Sequence, residues 1–125
     1  MKEKVLIFDD DADILEVCTI VLETNGFEVI TQKNCEDVLA RIDAHTPDVL
    51  LMDNKIPPSG GIEACRTIRA SAGHAGLPIV FFSANQDVAR LAGEAGADHF
   101  IEKPFDLDTL VSTLRKAITA RAASR

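Results

Sequence analysis

The sequence predicts an α/β fold, a five-stranded parallel doubly wound sheet with helices on both faces. Short apolar runs recur along the chain, and a segment of helical period follows each one. Val5-Leu6-Ile7-Phe8 and Val49-Leu50-Leu51-Met52 are apolar on both alternating faces, as strands inside a parallel sheet must be. The links between runs are only a few residues long, and strand–helix alternation through short links is satisfied by a parallel sheet.

The elements read in order. Lys4 to Phe8 is the first strand. Ala12 to Asn25 carries an apolar stripe at Ile14, Leu15, Cys18, Val21 and Leu22, and Gly26 ends that helix as a left-handed cap. Phe27 to Thr31 alternates as a second strand. Asn34 is placed to cap a second helix through about Ala44, with Val38, Leu39 and Ile42 on one face, and Thr46-Pro47 stops it. Asp48 to Asp53 is the third strand. Pro57-Pro58-Ser59-Gly60-Gly61 must be a loop, since no regular element tolerates that run. A third helix runs from about Gly61 to Ser71, and Pro78 to Ser83 is a fourth buried strand. Asp87 to Ala95 is a helix closed by Gly96, and Ala97 to Ile101 a fifth strand. Asp106 or Asp108 caps a last helix to about Ala120, with Leu107, Leu110, Val111, Leu114 and Ile118 as its stripe.

Five such units in 125 residues form one domain, the smaller doubly wound, flavodoxin-like arrangement with strand order 2-1-3-4-5. Residues 1–122 are assigned to the domain and 123–125 to a tail. A dinucleotide fold fails for want of GxGxxG, and a small barrel fails on size. In the chosen order the first and third strands are neighbours at the switch point, where ligands bind beyond the strand C-termini.

Composition removes several function classes. A formal net charge of −7 argues against nucleic-acid or anionic-membrane binding by this domain alone. No run approaches membrane-spanning length and no basic-then-apolar leader opens the sequence, so a cytoplasmic location is expected. Cys18, Cys35 and Cys65 are odd in number and show no CxxC spacing, which suits buried small hydrophobes in a reducing compartment. The three histidines form no ligand spacing.

What remains is chemistry at one edge. The first strand delivers Asp9, Asp10 and Asp11, the third Asp53, the fourth Ser83, and Lys103 follows the fifth. Clustered carboxylates repel one another, and they suit a cation with hard oxygen ligands, Mg²⁺ with retained waters. A carboxylate attacks phosphorus poorly until a metal screens the phosphoryl oxygens; a hydroxyl and an ammonium then bind the remaining oxygens. The inferred reaction is phosphoryl transfer onto Asp53. Asp11 reads better as a cap of the first helix than as a ligand. Asp9 and Asp10 could cap as well, although one helix start does not need three acids. Ser83 alone would be an ordinary cap and Lys103 alone a surface lysine.

These residues resemble the receiver domain of two-component response regulators, the CheY-like family. Asp9-Asp10 after an apolar strand, Asp53 with Pro57 and Gly61 behind it, Ser83-Ala84 and Lys103-Pro104 stand in the family's order and spacing over essentially the whole chain. The resemblance implies that Asp53 is the phosphoacceptor and that Asp10 and Asp53 bind Mg²⁺ directly. Asp9 would act through water, and the backbone carbonyl of Lys55 would supply another ligand. It also implies that Ser83 and Lys103 hold the phosphoryl group, that Lys103-Pro104 is cis, and that Phe100 is the switch aromatic. An aromatic on a last strand is otherwise often core. The chain departs from the family at Gly60, where an acid or amide is common, and at Ile56, where Met is common. An unusual loop behind the acceptor is therefore expected.

The function so implied is that of a phosphorylation-dependent response regulator, a signalling domain rather than an enzyme. Its donor would be a histidine kinase or histidine phosphotransfer protein, and its reader a downstream effector protein. The alternative keeps the fold as the receiver module of a longer transcription factor or hybrid histidine kinase, with Ala120 to Arg125 opening a linker. A Mg²⁺-dependent phosphohydrolase would need an acid two residues beyond its nucleophile, and Lys55 stands there.

Overall fold

The computed structural model describes residues 2–123. The elements alternate in the expected order: β1 (Glu3–Phe8), α1 (Ala12–Thr24), β2 (Phe27–Gln32), α2 (Val38–His45), β3 (Val49–Asp53), α3 (Gly61–Ala70), β4 (Ile79–Ser83), α4 (Val88–Ala95), β5 (His99–Glu102) and α5 (Leu107–Ala123). The five strands pair in the order β2-β1-β3-β4-β5, and every pairing is parallel. The last helix takes in Ala123, while residues 124 and 125 of the expected tail lie outside the described residues.

Strand side chains alternate between two apolar layers. Leu6, Phe8, Leu50, Met52, Ile79 and Phe81 pack with α2, α3 and α4, through residues such as Ile42, Ile68 and Leu91. Val5, Ile7, Val49, Leu51, Val80, Phe82 and Ile101 pack with α1 and α5, through Cys18, Leu22, Leu110 and Leu114. β1, β3 and β4 are therefore covered on both sides, which is why their sequences show no polar alternation. Among the described residues no helix is long and apolar enough to cross a membrane.

Several local expectations are corrected. Asn34 does not start α2: the helix begins at Val38, after Asp37 in a left-handed conformation with φ of 49°. The Asn34 side chain instead accepts from the amide of Glu36 and from Arg41. Cys35 is drawn into the core, its amide bonded to the Pro57 carbonyl at 2.8 Å, so residues 34–37 are consumed in a turn. β5 starts at His99 rather than Ala97, and the Asp98 carboxylate before it accepts from the Ile79 amide at the start of β4. Leu107 does not join the α5 stripe; it is exposed.

Other details stand as read. Asp11 caps α1, accepting from the amides of Asp13 and Ile14. Asp106 rather than Asp108 turns the chain into α5, its side chain accepting from the Asp108 amide at 2.9 Å. Cys18, Cys35 and Cys65 are buried and free. Burial pushes the Cys18 thiol up to about 11 and the Cys65 thiol up to about 12, so both stay protonated and inert at neutral pH.

Candidate phosphoacceptor site

Side-chain parity brings the site together. Position 9 continues the series Val5, Ile7 on β1, position 53 continues Val49, Leu51 on β3, and position 103 continues Ile101. Asp9, Asp53 and Lys103 therefore fall on the same side of the sheet, Asp53 at the end of β3 and the other two one step past theirs. Lys103 Nζ donates to Asp9 Oδ2 and to Asp53 Oδ1, both at 2.9 Å. Asp9 is 1% exposed and Asp53 6% exposed, so this is a buried charge cluster rather than a surface ion pair.

Carboxylate oxygens of Asp9, Asp10 and Asp53 lie within 4.8 Å of one another. Like charges at that separation repel by roughly 3–4 kcal/mol at an effective dielectric of ~20. Burial, with the nearby Asp53 charge adding to it, raises the Asp9 carboxyl above the ordinary carboxylate range despite the Asp11 amide and Lys103. For Lys103 burial favours the neutral amine, but its bonds to Asp53 and Asp9 outweigh that and raise it. One ammonium thus bonds two of the three carboxylates, Asp9 and Asp53, and the cluster stays short of positive charge. All-oxygen donors in a tight, under-neutralised group fit a small hard dication.

Around the cluster is a cleft of about 300 Å³, bordered also by Asp11, Lys55, Ser83, Ala84 and Asn85. Ser83 is buried, and its Oγ accepts from the Asn85 amide at 3.0 Å, as a turn cap would. That bond leaves the hydroxyl proton available for donation. Lys55 is exposed on the rim. The expected peptide bond, Lys103-Pro104, is cis, and Pro57-Pro58 is cis as well.

The loop behind Asp53 is built for close approach. Gly60 has φ of 89°, and its amide donates to the Ile56 carbonyl at 2.8 Å. The amide of Gly61 donates to the Asn54 carbonyl, and a Cβ on Gly61 would collide with the Asp53 carbonyl oxygen. Only glycine lets α3 begin directly against the end of β3.

Phe100 stands apart from the cluster. It pairs with Phe81 on the face that also carries Ser83, and it is 49% exposed, so the core alternative for it fails. One contact escaped the sequence reading. The Lys103 ammonium lies 4.3 Å from the centre of the Phe82 ring. The shared parity of positions 82 and 101 across β4 and β5 was the available signal.

A parallel sheet ordered 2-1-3-4-5 with an acid cluster, a lysine and a hydroxyl at its switch point defines a receiver-type fold. The response regulator receiver domain family matches residues 5–115, and the chain belongs to that family. It is similar to the DNA-binding response regulator MtrA of Mycobacterium leprae, 37% identical over 117 residues, covering 92% of this chain and 51% of MtrA. It is also similar to the transcriptional regulatory protein KdpE of Mycobacterium tuberculosis, 33% identical over 122 residues, covering 96% of this chain and 53% of KdpE. Among solved structures, the chemotaxis response regulator CheY4 of Vibrio cholerae superposes with a TM-score of 0.85 at 26% identity, covering 94% of this chain and 99% of that one. The chain spans about half the length of the curated relatives it matches.

Proposed function

We propose that Asp53 accepts a phosphoryl group from a histidine kinase or histidine phosphotransfer protein, in the cytoplasm, and that a downstream effector protein reads the change. The observation that carries this is the buried contact of Asp53 with Lys103 inside a cluster of three carboxylates. The phosphorus–nitrogen bond to the donor imidazole breaks as a bond to the Asp53 carboxylate forms. The imidazole keeps the electron pair and takes up a proton.

Each residue has a part in that exchange. Lys103 holds Asp53 Oδ1 and so fixes the rotation of the carboxylate, and the same ammonium can bind an incoming phosphoryl oxygen. Ser83 donates its free proton to another. Asp9, Asp10 and Asp53, with the backbone carbonyl of Lys55, would hold Mg²⁺. Bound there, Mg²⁺ would screen the phosphoryl charge from the attacking carboxylate. The domain thereby promotes its own phosphorylation and later hydrolysis.

Incubation with Mg²⁺ and a small acyl phosphate, followed by intact mass measurement, tests the assignment. One added phosphoryl group is expected in the wild type and none in Asp53→Ala; equal labelling of both would refute it. With no Trp or Tyr in the chain, metal binding is best followed by calorimetry or NMR.

Phosphorylation adds roughly −1.5 to −2 charges and three acceptor oxygens. A hydrogen bond to a charged group contributes about 1.5–3 kcal/mol, whereas a shift from 1:99 to 99:1 needs about 5.5 kcal/mol. Ser83 alone is insufficient, so Lys103 contributes or the free protein already samples the active form. Movement at Ser83 would open space on the face shared with Phe81 and Phe100. With beryllofluoride as phosphoryl mimic, NMR shifts along residues 85–95 and at Phe100 should shrink in Ser83→Ala. Full-sized shifts in that variant would separate Ser83 from the switch.

A second reading is supported by the relatives' length. The chain could be the receiver module of a longer transcription factor, as MtrA and KdpE are named regulators of about twice its span, or of a hybrid histidine kinase. The coding sequence beyond Arg125 decides between them.

A further inference from the structure

We propose that Phe82 is a positioning residue for phosphoryl transfer, its ring face seating the Lys103 ammonium beside Asp53. This rests on the reading of Asp53 as phosphoacceptor. Phe82 is fully buried on β4, directly opposite Asp53 on one neighbouring strand and Ile101 on the other. Lys103 leaves the end of β5 and must cross β4 to reach β3 and β1. The Phe82 ring lies under that path, with its centre 4.3 Å from Nζ.

The contact has the geometry of a cation–π interaction: an ammonium within ~6 Å of a ring centroid, in a desolvated place. An aliphatic side chain of similar size would fill the volume but offer no negative face. Phe105 meets the Phe82 ring edge-on, with centroids 6.3 Å apart and planes at 66°, which fixes the ring's tilt. Two of the three ammonium protons go to Asp9 and Asp53. The ring then stabilises the charge where no further acceptor stands, so the ammonium stays between the carboxylates rather than reaching for solvent. When a phosphoryl oxygen arrives at Asp53, its counter-charge is already in place.

Fluorination separates this role from packing, because each ring fluorine weakens the negative face while barely changing the volume. Phenylalanine, 4-fluoro-, 3,5-difluoro- and 3,4,5-trifluorophenylalanine are placed at position 82 by nonsense suppression. The rate of Asp53 phosphorylation by a small acyl phosphate should fall stepwise across the series, by about five- to thirtyfold in total. Melting temperatures should fall by no more than several degrees. In donor-free protein, the Lys103 side-chain resonances should start upfield through the ring current and drift stepwise with fluorination. Phe82→Leu should lose both the upfield shift and a comparable factor in rate. Flat rates and fixed Lys103 resonances across the series would overturn the proposal and leave Phe82 as filler. If the wild type took no phosphoryl group, the acceptor assignment would fall, and the donor-free resonances would still decide whether Phe82 seats Lys103.

Discussion

The two ends of the sheet handle charge in opposite ways, on half-exposed side chains at one and buried ones at the other. At the N-terminal end, Arg69 of α3 donates to the carbonyls of Gly96, Ala75 and Leu77 and to Asp98, at 2.7–2.9 Å. Asp98 in turn accepts from the Ile79 amide, and Asp48 from the Lys4 amide. Asp98 and Asp48 thus each close the start of a strand, and Arg69 and the Lys4 ammonium meet carbonyls. At the C-terminal end one ammonium faces three carboxylates within 4.8 Å. A saturated network holds the fold together; a network short of positive charge is prepared to bind some. The same sheet keeps satisfied contacts at one edge and, on the proposed function, its chemistry at the other.

The largest expected effect lies at the saturated end. Arg69→Leu leaves several carbonyls and Asp98 without their donor and, since water can replace most of these exposed bonds, should cost about 1–2 kcal/mol in urea unfolding. Folded Arg69→Leu should still be labelled at Asp53 at the wild-type rate. If it were as stable as the wild type, the contrast between the edges would be lost.

Alkaline titration sharpens the contrast, since it removes the charge of Lys103. The raised Lys103 contributes stability that is present below 10.5 and lost as pH rises through its folded value. The core thiols act in the same window. Their folded values lie above 9.0, so the unfolded chain ionises first and stability falls from pH 9 to about 11 for Cys18 and to about 12 for Cys65. Each thiol adds at most about 1.4 kcal/mol per pH unit to that slope. Cys65→Ala will lower the baseline, yet its melting curves between pH 9 and 11 should be flatter. An unchanged slope would mean that the thiol does not titrate on unfolding.

The smallest effect is at the acid cluster. Asp10 is exposed and bonds neither Lys103 nor a backbone amide, so Asp10→Asn removes repulsion and little else. Without Mg²⁺ its melting point should rise by about 1–3 °C, and the added stabilisation by Mg²⁺ should shrink. Asp53→Asn makes a poorer probe of repulsion than Asp10→Asn, because it also takes a partner from Lys103. A lower metal-free melting point in Asp10→Asn would count against a shared acidic pocket.

Local rules read from the sequence determined the strand–helix order, the sheet order and the membership of the acid cluster. Runs such as Val49 to Met52 admit only a strand covered on both faces, and acids at such strand ends meet at the switch point. Asp11 opened α1 and Gly96 closed α4 as their chemistry requires. Asn34 was misread because capping preference is worth only about 1 kcal/mol, less than burying Cys35 against the loop after β3. Phe100 and Leu107 could not be placed from hydrophobicity, since an edge strand and the first turn of a helix leave apolar side chains exposed. Which acids share Lys103, and that its ammonium rests on Phe82, was decided only by the tertiary structure. Those contacts join residues 50 and 94 positions apart in the chain. Their distances follow from how far a lysine stem reaches across one folded strand, and no local pattern encodes that.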